Sequence, residues 1–209
     1  MTDQALSVGG MFVVNVALAR TQTKEQYGTF VLSYSVFTFL AGLHNSAILE
    51  PYTVYGSGRY RSRCSQYFGL MARSNALMGL LLSVVLLIGC AVLHWISPRL
   101  VSGALVGLGL TIGILLSGVF VRRTFYVQGK PLLAAATSLT FFVAVASGLW
   151  LTTRAHVLNG FSAFLIVAAA WVVAGACFSP KLPFGRTQEK FLDVEPLYWK
   201  DHWKYRLDE

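Results

Sequence analysis

The sequence predicts an all-α protein, a polytopic membrane helix bundle of about six transmembrane helices with both ends on the cytoplasmic side. Three observations predict it. First, 55% of the 209 residues are hydrophobic and only 12% are charged, about half the roughly 25% of a soluble domain, and the mean hydropathy is +0.58. Second, residues 4–19, 26–49, 74–98, 100–121, 131–153 and 155–180 contain no Asp, Glu, Lys or Arg. Five of these runs exceed 20 residues, and a helix rising about 1.5 Å per residue needs about 20 to cross a hydrocarbon core of about 30 Å. Third, Lys and Arg fall unevenly between the loops that such spans leave. Arg59, Arg61, Arg63, Arg73, Arg122, Arg123, Lys130, Lys181, Arg186, Lys190, Lys200, Lys204 and Arg206 lie on one side, against Arg20, Lys24, Arg99 and Arg154 on the other. An excess of Lys and Arg marks the cytoplasmic side.

The first span, about Gln4 to Ala19, is short and carries Gly9–Gly10 and Asn15. A polar turn over 20–28 leads to the second, about Thr29 to Leu49, which Glu50–Pro51 is expected to end because proline lacks the amide that would continue a helix. Residues 52–66 read as a cytoplasmic loop rich in Gly, Ser and Arg. The third span is about 74–95, bounded by Trp95 and Pro98, and a tight turn leads to the fourth, about 100–121. Gly103, Gly107, Gly109, Gly113 and Gly118 space that helix for close backbone approach in lipid, so a packing face is expected rather than a hinge. The fifth and sixth spans are about 132–153 and 157–178. Two units result: a six-helix lobe over 1–180 and a cytoplasmic tail over 181–209. Pro196 suits the first position of a short interfacial helix with Trp199, Trp203 and Arg206 on one side.

The net charge of +8 is chiefly this topology signal, so no nucleic-acid partner is expected. Cys64, Cys90 and Cys177 are an odd number and suggest neither a disulfide framework nor a metal cluster. The N-terminus lacks a basic start and a small-residue cleavage site, so its first apolar segment reads as a retained helix. Walker, GxSxG, HExxH and CxxC patterns are absent from the sequence. No enzyme, metal or cofactor is therefore expected, and His44, His94, His156 and His202 read as helix-end or interfacial residues.

The polar residues at membrane depth are the candidates for function. Asn15, His44, Asn45 and Glu50 are candidates for a substrate pathway, since intramembrane polar groups face a bundle interior or a water-filled path. The plainer readings, which the residues favour, are a helix-end carboxylate at the interface for Glu50 and an interhelical hydrogen bond for Asn15. Arg73, Arg122 and Arg123 are candidates for phosphate binding through the guanidinium fork, or are anchors that snorkel to the interface.

Asp3–Gln4–Ala5–Leu6–Ser7, Gly10, Phe12, Asn15 and Ala19–Arg20 resemble the first helix of polysaccharide-export flippases. Gln26–Tyr27–Gly28–Thr29–Phe30, Leu49–Glu50–Pro51 and Arg122–Arg123 with Phe125–Tyr126 and Gly129–Lys130–Pro131 extend the likeness over nearly the whole chain. These flippases are the O-antigen and teichoic-acid exporter-like members of the multidrug/oligosaccharidyl-lipid/polysaccharide superfamily. The resemblance implies one of two six-helix lobes around a central cavity, moving a lipid-linked oligosaccharide across the inner membrane by alternating access. Pyrophosphate would then lie near the arginines and sugars near the first two helices. His202–Trp203–Lys204–Tyr205 resembles the run into a seventh helix, yet the sequence stops at Glu209. The expectation is thus a truncated product, or a lobe completed by another chain or a second copy. A drug exporter-like half and a membrane scaffold or assembly subunit remain the alternatives.

The orientation is directly testable. In a variant lacking its native cysteines, Ser57→Cys and Lys190→Cys should resist a membrane-impermeant thiol reagent in intact cells, while Arg154→Cys should react. Labelling of position 190 from outside would overturn the assignment.

Overall fold

The computed structural model describes residues 2–96 and 102–183. The expected turn at Pro98 and all but the first three residues of the 181–209 tail, with its interfacial helix, lie outside the described residues. Within them the chain forms six helical rods and no strand. Helix α1 is Thr2–Thr21. Helix α2, Lys24–His44, runs through a π-turn, Asn45–Leu49, straight into α3, Glu50–Ser57. Helices α4 (Cys64–Ile96), α5 (Gly103–Val127), α6 (Pro131–Arg154) and α7 (Gly160–Phe178) complete the bundle. Five rods are long and apolar enough to cross a membrane, and the apolar part of α1, Val8–Thr21, is shorter.

Several boundaries differ from expectation, three of them in the second and third spans. Helix α2 starts at Lys24, not Thr29, because Thr23 and Gln26 form a capping box that satisfies exposed backbone amides. Pro51 does not end the second rod. The π-turn shifts the bonding register, with the amide of Glu50 bonding to Asn45 O, so that Pro51 falls in the first turn of α3, where a missing N–H costs nothing. The chain over 52–57 is therefore helix rather than loop. Helix α4 begins at Cys64, ten residues before the expected span, and its 33 residues rise about 50 Å. That exceeds a core of about 30 Å, so its first turns stand outside the hydrocarbon.

Helix α5 is the centre. It packs along α4 on one side and α7 on the other, and α2 lies against it. Glycines set these distances. A Cβ on Gly79 would lie 2.9 Å from the Cα of Gly113, and one on Gly118 would lie 2.2 Å from the Trp171 ring. The glycines of the fourth span are thus packing positions. Lipid gives apolar side chains no preference for each other, so close contact of this kind holds such helices together.

Two cores result. Val14, Leu18, Leu108, Ile112, Leu116, Phe141, Val145 and Phe164 join α1, α5, α6 and α7. At one end Tyr52, Tyr60, Tyr67, Phe68 and Phe120 form an aromatic cluster, with Tyr60 and Tyr67 rings stacked at 4.8 Å. This end gathers the tips of α3, α5 and α7: Gly56 meets Val127, and the rings of Phe125 and Phe178 lie 6.3 Å apart. Arg59, Arg61, Arg63, Lys130 and Lys181 belong to it. At the other end Gln22 Nε2 donates to Leu158 O at 2.6 Å, and Arg20, Lys24 and Arg154 sit there. The folded bundle thus keeps the two basic groups apart.

Gly79→Leu should lower the thermal stability of the purified protein, because overpacking costs about 1–3 kcal/mol. Gly118→Leu should do the same. Gly89→Ala, where a Cβ meets open space, should be neutral or slightly stabilising. A thermal-shift series over the three checks this.

Candidate functional site

The π-turn rotates two neighbouring residues into different surroundings. His44 points inward and is 1% exposed, and Asn45 beside it is half-buried. The chain does not interrupt its helix to do this. It widens one turn, a device found at functional positions in helices.

From His44 a buried hydrogen-bond chain crosses three helices. His44 Nε2 lies 2.7 Å from Asn75 Oδ1, Asn75 Nδ2 donates to Ser117 Oγ at 3.0 Å, and Ser117 Oγ donates to Gly113 O at 2.7 Å. The direction is fixed by its far end. A carbonyl only accepts, so the Ser117 hydroxyl must give its proton to Gly113 and can only accept from Asn75. The Asn75 amide is thereby oriented with its oxygen towards His44, and Nε2 of His44 must carry a hydrogen. Ser117 stands ten residues before the end of α5, about 15 Å into the bundle.

From Asn45 a second chain runs towards the basic end. Asn45 Oδ1 accepts from Arg123 at 3.3 Å, and Asn45 Nδ2 donates to Glu50 Oε1 at 2.7 Å. The amide thus sits between a cation on α5 and a carboxylate on α3, with each of its ends matched to the right partner. Glu50 itself is exposed on the bundle surface.

The sequence candidates therefore separate. His44, Asn45, Glu50 and Arg123 come together. His44 ends α2 as expected, but it is buried in the bundle rather than set at its surface. Asn15 stands apart: its Nδ2 donates to Met11 O of its own helix at 2.9 Å, and among the described residues it makes no interhelical hydrogen bond. Arg73 is exposed on α4 and Arg122 half-buried on α5. Asn75 and Ser117 were missed. Asn75 is the single amide within α4 past its first turn, and Ser117 falls one turn after Gly113, so both signals were present in the sequence. Among the described residues no group of three or more His, Cys, Asp or Glu is placed to hold a metal ion.

The outer faces of α2 and α4 are both largely apolar, but the α2–α3 rod adds small and polar residues. Exposed Leu77, Leu80, Leu81, Val84, Val85 and Ile88 cover α4, a surface suited to lipid. On the α2–α3 rod, Ser35, Thr38, Gly42, Ser46 and Glu50 are exposed, interleaved with exposed Val31, Leu32, Phe39 and Leu43. Comparison with protein-family models, curated proteins and solved structures finds no match to this chain. Fold and site together define a multi-pass helical membrane protein whose second rod carries polar groups among the apolar ones of its outer face.

Asn75→Leu should destabilise the bundle, since it leaves a buried imidazole without its acceptor, at a cost of about 1–3 kcal/mol. His44→Phe combined with Asn75→Leu should cost less than the two single changes added together. Unfolding measured over this double-mutant cycle should give a coupling of about 0.6–1.7 kcal/mol.

Proposed function

We propose that this chain is one lobe of a transporter for a lipid-linked oligosaccharide, with α2 and α3 facing the substrate path and a second lobe closing it. The observation that carries the reading is the exposed Glu50, held by Asn45 and through it by Arg123, on a rod whose outer face mixes polar and apolar residues. A carboxylate near the hydrocarbon is costly against lipid and is kept where protein or water covers it. The neighbouring apolar face of α4 shows what a lipid-facing surface of this chain is made of. A lobe with polar groups along one outer rod suits alternating access, in which one bundle rocks against another around a central site. In this reading the second lobe is a second copy or another chain, the membrane is a bacterial inner membrane, the anionic substrate is met by arginines of the basic end, and the chain has no catalytic role.

The test pairs crosslinking with transport. Thr38→Cys and Ser46→Cys, in a cysteine-free background, should be captured by a short bifunctional thiol reagent against a second lobe in native membranes, and Ile88→Cys should not. In the reconstituted assembly Glu50→Gln should slow flipping of a fluorescent lipid-linked oligosaccharide about tenfold, the equivalent of one weak charge-assisted contact, with protein amounts unchanged. Unaltered flipping would remove Glu50 from the path. A stable monomer that flips unaided would refute the second lobe, and a stable monomer that never flips would favour a scaffold.

A further inference from the structure

Charge is distributed along this chain in blocks. No Asp or Glu occurs between Pro51 and Gln188, and the basic end of the bundle presents Arg59, Arg61, Arg63, Lys130 and Lys181, all exposed. Two carboxylates precede this block near the same end. Glu50 is engaged by Asn45, and Asp3 belongs to α1, which packs chiefly against α6. The carboxylates that follow the block are Glu189, Asp193, Glu195, Asp201, Asp208 and Glu209, against 9 in the whole chain. They lie outside the described residues. Over 189–195 three acids stand with one lysine, Lys190.

The arginines are held by the backbone beneath them. Tyr60 N donates to Tyr55 O at 2.9 Å, Arg61 N to Gly58 O at 3.2 Å and Arg63 N to Tyr60 O at 3.0 Å. The connection between α3 and α4 is therefore a bonded turn, and the Tyr60 ring, stacked on Tyr67, ties it to the aromatic cluster. Arg59 has a contact within the chain already. Arg61 and Arg63 are exposed, and among the described residues neither side chain meets a carboxylate. Burial holds the Cys64 thiol above its usual range against the pull of Lys130, so that ammonium stands near the residue after Arg63. Beyond α7 the chain turns towards the same cluster, against which Leu182 packs. From Leu182 a chain of about 3.3 Å per residue reaches about 23 Å at residue 189 and about 43 Å at residue 195. Neighbouring helix axes lie about 8–10 Å apart, so even the shorter reach spans two helices.

We propose that the chain's own acidic segment, residues 189–195, docks on the α3–α4 turn, with Glu189, Asp193 and Glu195 against Arg61, Arg63 and Lys130. The contact forms a strap from the tip of α7 to the rod that carries Glu50, and it does not depend on the transport reading. Three observations choose this occupant: the carboxylates withheld from the bundle are gathered in this segment, its tether starts at the cluster that anchors the turn, and its reach is sufficient. Exposed ion pairs are individually weak and are screened beyond about 8 Å at physiological salt. Tethering offsets that weakness, because a short linker keeps its end at an effective concentration in the millimolar range.

Cross-linking of the full chain in native membranes tests the contact. In a cysteine-free background, Ser57→Cys beside the turn should be joined to Leu192→Cys within one chain by a short bifunctional maleimide. Leu132→Cys, at the exposed start of α6, should be joined to Leu192→Cys about tenfold less. Glu189→Lys, Asp193→Lys and Glu195→Lys together should lower capture at position 57 about tenfold, the sum of a few exposed ion pairs. Arg61→Glu with Arg63→Glu should do likewise, and combining the two sets should restore capture, which a merely damaged fold would not. Should the arginine variants express poorly, the tail variants and salt decide the matter: raising salt from about 0.1 to about 1 M shortens the Debye length from about 10 to about 3 Å and should lower wild-type capture. Equal capture at positions 57 and 132, or capture indifferent to the tail charges, would overturn the proposal. So would a cross-link between two chains, which would assign the segment to a second copy. Capture present in phosphatidylcholine nanodiscs and lost on adding phosphatidylglycerol would give the arginines to lipid headgroups and overturn it as well.

Discussion

In hydrocarbon no solvent is available to satisfy a polar group, so each must find its partner within the chain or at a covered surface. Most details of this bundle follow from that constraint. Ser33, Thr111, Thr124 and Ser117 return their hydroxyl protons to carbonyls one turn back. Asn15 does the same within α1. His44 and Asn75 bond to each other instead, and through Ser117 their bond joins α2, α4 and α5. A contact that removes a liability also specifies which helices are neighbours.

The same requirement explains why α5 lies at the centre. A helix surrounded on several sides has to be thin where its neighbours come closest, and α5 places Gly113 and Gly118 at such points while Phe120 fills the wider gap to Phe68 of α4. Its partners differ: α4 meets it backbone to backbone at Gly79 and Gly113, whereas α7 lays the Trp171 ring over Gly118. The first contact is rigid and the second can adjust. Seen this way, α4 is fixed to the centre by geometry and α7 by side-chain fit.

The class of the fold was readable because charge-free runs of span length have few other uses, and the six rods fall where those runs do. Their ends were less readable. Pro51 reads as a stop because a regular helix tolerates no proline in its interior, and only the widened turn before it, invisible in composition, lets the rod continue. Glu50, Asn45 and Arg123 stood out by chemistry, but sequence gave no means of joining α2 to α5 across nearly eighty residues. Asn75 was passed over because a single amide in an apolar run resembles a tolerated exception until the histidine facing it is known. What the sequence lacked in each case was a distance between helices.

The π-turn of the second rod also has a bearing on how relatives of this chain should be aligned. A π-turn holds one residue more than a regular turn, and each residue of a helix turns it by about 100°. A homologue lacking one position between 44 and 50 would carry every later side chain of the rod round by that angle. Its counterpart of Glu50 would leave the surface, its counterpart of Tyr52 would leave the aromatic cluster, and its proline would meet an unbroken ladder. Insertions and deletions at this one place therefore count as changes of face, not of length, and a gap there separates proteins with different outer surfaces.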